Sequence, residues 1–459
     1  MEQVQKGRQN PLGTEPIGRL LPKFAVPAVI SMLVSALYNI VDQIFIGQGV
    51  GMYGNAATNV AFPLTTLATA LGLLLGIGGA SNFNLEMGRG NKEKAEKIAG
   101  TSFGSLMISG IVICVVVRLF LKPLILVFGA TPEVMDHAMD YVGITSFGMP
   151  FYILTTGGNH MIRADGSPTY SMGTMVSGAL VNTVLDPLFI FGFHMGIAGA
   201  AWATVIGQIL SAVLVFAYLP RFKTVRLPLK GFLPRWKCLL AITSLGAASC
   251  FNQLAMTVTQ IVMNNVLRYY GENSVYGSDI PLAVVGIVAK VNMVFMAIVI
   301  GISQGAQPIF GFNYGAKKYD RVRATYRYAG TVATAIAILA FLGFQIFPRQ
   351  ITSMFGSGEK LYYQFAIQYF RIFMLFTFIN GLQPLTANFF TSIGKSTRGI
   401  LLSMTRQLIF LIPLVVIFPM ILGIDGVIYA GPVADGAAGI LAIYMVWREF
   451  KRMPREQVL

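Results

Sequence analysis

Gly196-Ile197-Ala198-Gly199 and Gly423-Ile424-Asp425-Gly426 each open a long apolar stretch, and they stand 227 residues apart. The same spacing recurs along the chain. Gly76-Ile77 pairs with Gly301-Ile302, Gly90-Asn91-Lys92 with Gly315-Ala316-Lys317, Phe128-Gly129 with Phe355-Gly356, and Tyr141 with Tyr369, at offsets between 225 and 228. One match between apolar sequences carries little weight. A constant offset across many stretches reads as a duplication.

Working outward from these pairs, stretches of about 20 mostly apolar residues, the length that crosses a bilayer as a helix, lie near 24–46, 58–82, 100–127, 139–160, 171–192 and 198–219. A second set lies near 239–267, 281–310, 328–347, 363–390, 400–422 and 427–447. Six is even, so the two sets share one orientation, a parallel repeat about an axis along the membrane normal, as in many secondary transporters. The expected fold is an all-α membrane protein of 12 transmembrane helices in two six-helix bundles. The chain divides into a cytoplasmic N-terminus 1–23, a first bundle 24–219, a linker 220–238, a second bundle 239–447 and a cytoplasmic tail 448–459.

Composition agrees. Of 459 residues, 55% are hydrophobic and only 12% charged, about half the charged share of a soluble domain. The net charge of +15 is a topology signal. With the N-terminus inside, 26 of the 34 Lys and Arg fall on inner segments, Arg163 among them as a loop charge, and positive residues favour the cytoplasmic side. Both termini are therefore expected to face the cytoplasm, in a multi-pass protein of the cell membrane. No basic stripe with interleaved aromatics suggests nucleic acid. The first apolar stretch is too long for a signal-peptide core and lacks a cleavage site, so it reads as a retained span. Cys114, Cys238 and Cys250 show no paired spacing.

Charges inside the spans are the functional candidates, because burying one in a bilayer costs several kcal/mol unless it is paired or hydrated. Asp42 lies in the first helix. Asp186 lies in the fifth, where Asn182 shares its face four residues earlier and Pro187 withholds an N–H from the Thr183 carbonyl. A carboxylate, an amide and a free carbonyl would suit a small hard cation such as Na⁺. At 1.5 Å per residue, Asp42 sits roughly 10 Å, Asp186 roughly 7 Å and Thr204 about 6 Å outward of their helix midpoints, with Tyr141 near the outer end of the fourth. A buried Asp can instead only satisfy polar groups between helices, and both readings are open here. Asp435 and Lys290 lie near mid-span in the twelfth and eighth helices; they either pair across the second bundle or one faces a cavity alone. Arg371 and Arg406 are nearer helix ends and are expected to snorkel.

Other apparent motifs fail. Gly394-Lys395-Ser396-Thr397 lacks the upstream glycine of a phosphate loop, and His137, His160 and His194 lack metal-ligand spacing. With no nucleophile or metal constellation and no cofactor motif, an enzyme is not expected. Most of the 22 Met and 33 Phe belong to packing, with a minority suited to lining an adaptable cavity.

Pro27 and Asp42, Tyr141, Asn182-x-x-x-Asp186-Pro187, Thr204 and the Gly196-to-Thr204 helix opening together resemble the first-bundle signature of the multidrug and toxic compound extrusion (MATE) family, and the 6+6 repeat extends the likeness over the chain. The resemblance implies a twelve-helix antiporter that exports cationic, often aromatic compounds in exchange for Na⁺ or H⁺. It implies that Asp42, Asn182, Asp186 and Thr204 hold the coupling ion, with Tyr141 close by and Pro27 letting the first helix bend. No resident cofactor is implied, only the coupling ion, and the expected partners are small organic cations and the lipid bilayer, around a monomer. Some members carry acidic residues in the seventh and tenth helices; this chain has none within those spans, which resembles the DinF-like and MepA-like bacterial branches. The alternatives are a lipid-linked oligosaccharide flippase of the same superfamily, which needs a cationic cavity, or another twelve-helix metabolite transporter.

Overall fold

The computed structural model describes residues 10–355, 358 and 360–454; Gly356 and the expectations for 1–9, 356–357, 359 and 455–459 lie outside the described residues. Every regular element among the described residues is helical. The first bundle comprises α1 (Ile17–Gly49), α2 (Met52–Gly88), α3 (Lys92–Leu119), α4 (Pro132–Ala164), α5 (Pro168–Pro187, continued by a π-helix Leu188–Gly192) and α6 (Gly196–Tyr218). The second comprises α7 (Trp236–Glu272), α8 (Asp279–Gly315), α9 (Tyr319–Ile346), α10 (Lys360–Phe373 with Thr377–Asn380 and Leu382–Ser392), α11 (Ser396–Met404, a π-helix Thr405–Leu411, then Ile412–Leu422) and α12 (Ile424–Arg452).

Ten of these are long and apolar enough to span a membrane, and α10, bent by 50° at its break, makes an eleventh. The twelfth, α4, is as long as α1 at 33 residues. It is more polar because Glu133, Asp136 and Asp140 crowd its first turns. Several helices run beyond their apolar stretches, since hydropathy reports only the hydrocarbon depth while the helix continues into polar ends. Thus α1 starts at Ile17 and α7 at Trp236. α1 passes through Pro22 and Pro27 without a break in its assigned range.

The described chain ends and the linker share one face, here called the linker face. Arg321 reaches the carbonyls of Leu12 and Glu15, and Arg323 those of Met453 and Pro454, so the α8–α9 turn region holds both ends.

The bundles meet through glycines, because apolar side chains gain nothing by leaving lipid and close backbone approach must supply the attraction. A Cβ on Gly78 would fall 1.9 Å from the Ile242 carbonyl oxygen, and one on Gly246 1.8 Å from that of Leu74. The repeat-related crossing is the same: a Cβ on Gly305 would fall 2.5 Å from the Ala25 Cα, and one on Gly301 2.5 Å from the Val29 Cα. On the axis itself Gly88 abuts the Phe312 carbonyl and Gly315 that of Leu85, two pairs exchanged by the 227-residue offset. Gln307 Nε2 donates to Ser81 Oγ at 3.2 Å, again between repeat-related positions.

All these contacts lie in the halves of the helices nearest the linker face. So does the Asn82 bond to the Ala241 carbonyl at 2.9 Å. Arg163, counted from sequence as a loop charge, is a correction of the same kind. It is buried to 2% exposure, and bonds His160, Ser171 and, across the bundles, Gln304 Oε1 at 3.1 Å. The charge sits in the last turn of α4, where α8 covers it. Toward the opposite face the bundles diverge around a cavity of 460 Å³, lined by α1, α2, α7, α8, α10 and α11. The protein is closed at the linker face.

Any side chain at Gly78 must push α2 and α7 apart. Gly78→Val should cost roughly 1–3 kcal/mol, as overpacking does. It should also speed amide exchange in the linker-face halves of those two helices while sparing Asp42 and its surroundings. An unchanged melting temperature and exchange pattern would contradict the glycine account.

Candidate cation site and cavity

In the first bundle, α1, α5, α6 and α4 bring together the residues singled out from sequence, all in the half away from the linker face. Asp186 is fully buried and Asp42 is 8% exposed. The two carboxyls are electrostatic neighbours. Two neighbouring carboxylates repel in a dry setting, and a shared proton or a cation relieves that repulsion. Asp42 Oδ1 is buried and receives no donor.

Asn182 completes the arrangement as its four-residue spacing from Asp186 dictates. In the amide orientation that satisfies both ends, its nitrogen donates to Asp186 Oδ2 at 3.2 Å, while its oxygen accepts from the Thr204 N–H at 3.2 Å and hydroxyl at 3.3 Å. The Tyr141 side chain lies beside Thr204. In this orientation the amide oxygen is taken up by Thr204, and the carboxyl oxygens of Asp42 and Asp186, with Asp42 Oδ1 unsatisfied, are the hard donors that suit a cation or a proton. The α-helix of α5 ends at Pro187 and widens at once into a π-turn, Leu188–Gly192. Such a turn often accompanies a functional site.

Sequence reasoning passed over Tyr38. It lies within electrostatic reach of both carboxyls and of Tyr152, and its place one turn before Asp42 was the available signal. Tyr152 in turn shares a 2.8 Å hydrogen bond with Thr69.

The second bundle departs from expectation. Asp435, 2% exposed, does not pair with Lys290. Its Oδ1 accepts from Arg406 Nε at 2.5 Å and its Oδ2 from Asn380 Nδ2 at 3.1 Å. Lys290 is exposed on α8 and makes no ion pair among the described residues. Arg406 does not snorkel. The π-turn Thr405–Leu411 carries it inward, where its side chain keeps 16% exposure at the cavity wall. An isolated carboxylate at that depth is costly, and a buried partner offsets it better than a distant headgroup. Arg371 is exposed, its Nε on the Gln345 carbonyl at 3.3 Å. Asn252, Gln253 and Gln260 of α7 and Asn380, Gln383 and Asn388 of α10 all line the cavity.

The family model described as MatE matches residues 27–188 and 248–417. The chain is 24% identical over 432 residues to a Multidrug export protein MepA of Staphylococcus haemolyticus, spanning 94% of this chain and 93% of that protein. Among solved structures, the MATE multidrug transporter DinF-BH in complex with rhodamine 6G is 34% identical, with a TM-score of 0.88 over 97% of this chain and 98% of that one. A multidrug resistance MATE family transporter of the MOP superfamily in its outward-facing conformation is 25% identical, with a TM-score of 0.90 over 98% and 99% of the two chains.

If the carboxyl pair binds an ion, folded protein gains stability by mass action, about 2.7 kcal/mol at a hundredfold excess over Kd. The melting temperature should therefore respond to Na⁺ at fixed pH, or to pH at fixed Na⁺. Asp186→Asn should abolish whichever response the wild type shows. An identical response in the variant would remove Asp186 from the site.

Proposed function

The chain belongs to the MatE family, and from that premise we propose that it is a secondary active exporter of small organic molecules in the cell membrane, driven by Na⁺ or H⁺ entering from outside. The linker face is the cytoplasmic side in this reading, and the chain catalyses no covalent reaction. The observation that carries the proposal is the placement of a paired carboxyl site on one bundle, away from the linker face, and of an amphipathic cavity between the two bundles that the linker-face contacts close off.

Helix α1 is the physical link. It holds Asp42 near one end, lines the cavity with Met32, Ser35 and Ala36, and packs Ala25 and Val29 on the glycines of α8. Asp42 and Ala36 are six residues apart, roughly 9 Å along the helix. A cation or proton entering between Asp42 and Asp186 replaces repulsion with attraction between α1 and α5. Because α1 also forms a wall of the cavity and a side of the closed interface, that change biases both. Export then requires a second state in which the linker-face contacts open and the opposite mouth closes. Ion and substrate must bind the two states with different affinities.

The flippase alternative needs a cationic cavity for pyrophosphate. Among the lining residues only Arg406 is charged, and one guanidinium is too little positive charge for a pyrophosphate.

Reconstituted proteoliposomes preloaded with rhodamine 6G should export the dye when an inward Na⁺ gradient or an inward proton gradient is imposed separately. Asp186→Asn, incorporated to equal amount, should lower that rate at least tenfold. Efflux that ignores both gradients, or that survives the substitution, would contradict the proposal.

A further inference from the structure

The cavity wall is polar in an uneven way. Six of its residues are methionines, Met32, Met256, Met263, Met293, Met296 and Met374, and nine are Asn or Gln. No Asp or Glu lines it, and Arg406 is its single charged residue. Methionine gives an adaptable apolar surface for flat or irregular bodies, but nothing in the lining attracts a cation by charge.

The polar demand left unmet at the Arg406 end is specific. Asp435 occupies Arg406 Nε and is itself completed by Asn380, so the carboxylate is dry and satisfied. The two terminal nitrogens of the Arg406 guanidinium have no partner among the described residues. A guanidinium presents them as a fork that matches a carboxylate in a bidentate pair. Beside it, Gln407 is 8% exposed, and its Oε1 is buried without a donor. Asn292 Oδ1, across the cavity on α8, is in the same condition. The open polar feature of the wall is therefore the donor fork of Arg406.

The backbone there is specialised as well. Arg406 and Gln407 sit in the π-turn Thr405–Leu411, and α11 is the repeat counterpart of α5, whose own π-turn adjoins Asp186. Both wide turns in the described chain adjoin a buried carboxyl, and π-turns concentrate at functional sites.

We propose that the Arg406 end of the cavity is a subsite for the carboxylate of an amphiphile, a molecule with an apolar or aromatic body whose anionic oxygens seat on the guanidinium fork. Asp435 holds the fork in place and keeps the empty subsite electroneutral. The volume of 460 Å³ suits a drug-sized body. This rests on the cavity being the substrate passage of the proposed exporter.

A matched pair of dyes tests it. Rhodamine 6G is an ethyl ester and rhodamine 19 its free carboxylic acid, so the two differ at the group in question. Equilibrium binding to the full chain in lipid nanodiscs, read by fluorescence polarisation, should favour rhodamine 19 at least threefold in the wild type. The double variant Arg406→Gln/Asp435→Asn removes both charges while keeping size and hydrogen-bonding capacity, and it strands neither partner. It should weaken rhodamine 19 about tenfold, as expected for loss of a charge-assisted pair, and rhodamine 6G less than twofold. Equal losses for both dyes, or wild-type preference for the ester, would overturn the subsite; the second outcome needs no variant to fold. Binding is read without a gradient, so a failure of driven efflux and a failure of this subsite are separate results.

Discussion

Two carboxyl groups brought together in a dry helical bundle repel one another, and a shared proton or a cation relieves that repulsion where neither water nor lipid can. The proposed cycle depends on that constraint at Asp42 and Asp186. Asn182 ties Asp186 to Thr204 through bonds of 3.2 and 3.3 Å. Ion occupancy is then an adjustable contact between α1 and α5. The same α1 forms part of the cavity wall and part of the closed interface. No long-range pathway has to be invoked, since a single helix touches all three places.

The repeat provides the frame on which this works. Glycine crossings related by the 227-residue offset bring α2 against α7 and α1 against α8 in the same way, and the on-axis pairs Gly88–Phe312 and Gly315–Leu85 are reciprocal. An interface made of equivalent halves can exchange one packing for another of similar energy. The chemistry laid on this frame is unequal. The first bundle carries a carboxyl pair, and the second carries Arg406 neutralised by Asp435. Ion and substrate functions are thereby assigned to different bundles in the proposed cycle.

Much of this was legible in the sequence, for identifiable reasons. Twelve spans and their parallel relation follow from hydropathy and a constant offset, because the bilayer fixes span length. The grouping of Asp42, Asn182, Asp186, Thr204 and Tyr141 follows from helical spacing and depth. What stayed hidden depends on rotation about a helix axis and on local departures from α geometry. Arg406 was visible as a charge within a span. Its direction was not, since the π-turn Thr405–Leu411 turns it inward, and no residue pattern in that stretch announces the extra residue per turn. Arg163 reads as a loop charge because it lies one residue from the end of α4, and the tertiary packing of Gln304 covers it. Tyr38 was overlooked although its spacing from Asp42 was as informative as that of Asn182 from Asp186.

The central claim is that ion occupancy at the carboxyl pair moves the bundles relative to one another. A direct measurement is the distance between spin labels on Met52→Cys and Val275→Cys, both exposed at the face away from the linker on opposite bundles. The native Cys114, Cys238 and Cys250 would be replaced. Pulsed electron resonance in nanodiscs should resolve a long and a short distance whose proportions change with Na⁺ or pH, and the further change Asp186→Asn should abolish that dependence. A single distance, indifferent to both ions and to the substitution, would contradict the account.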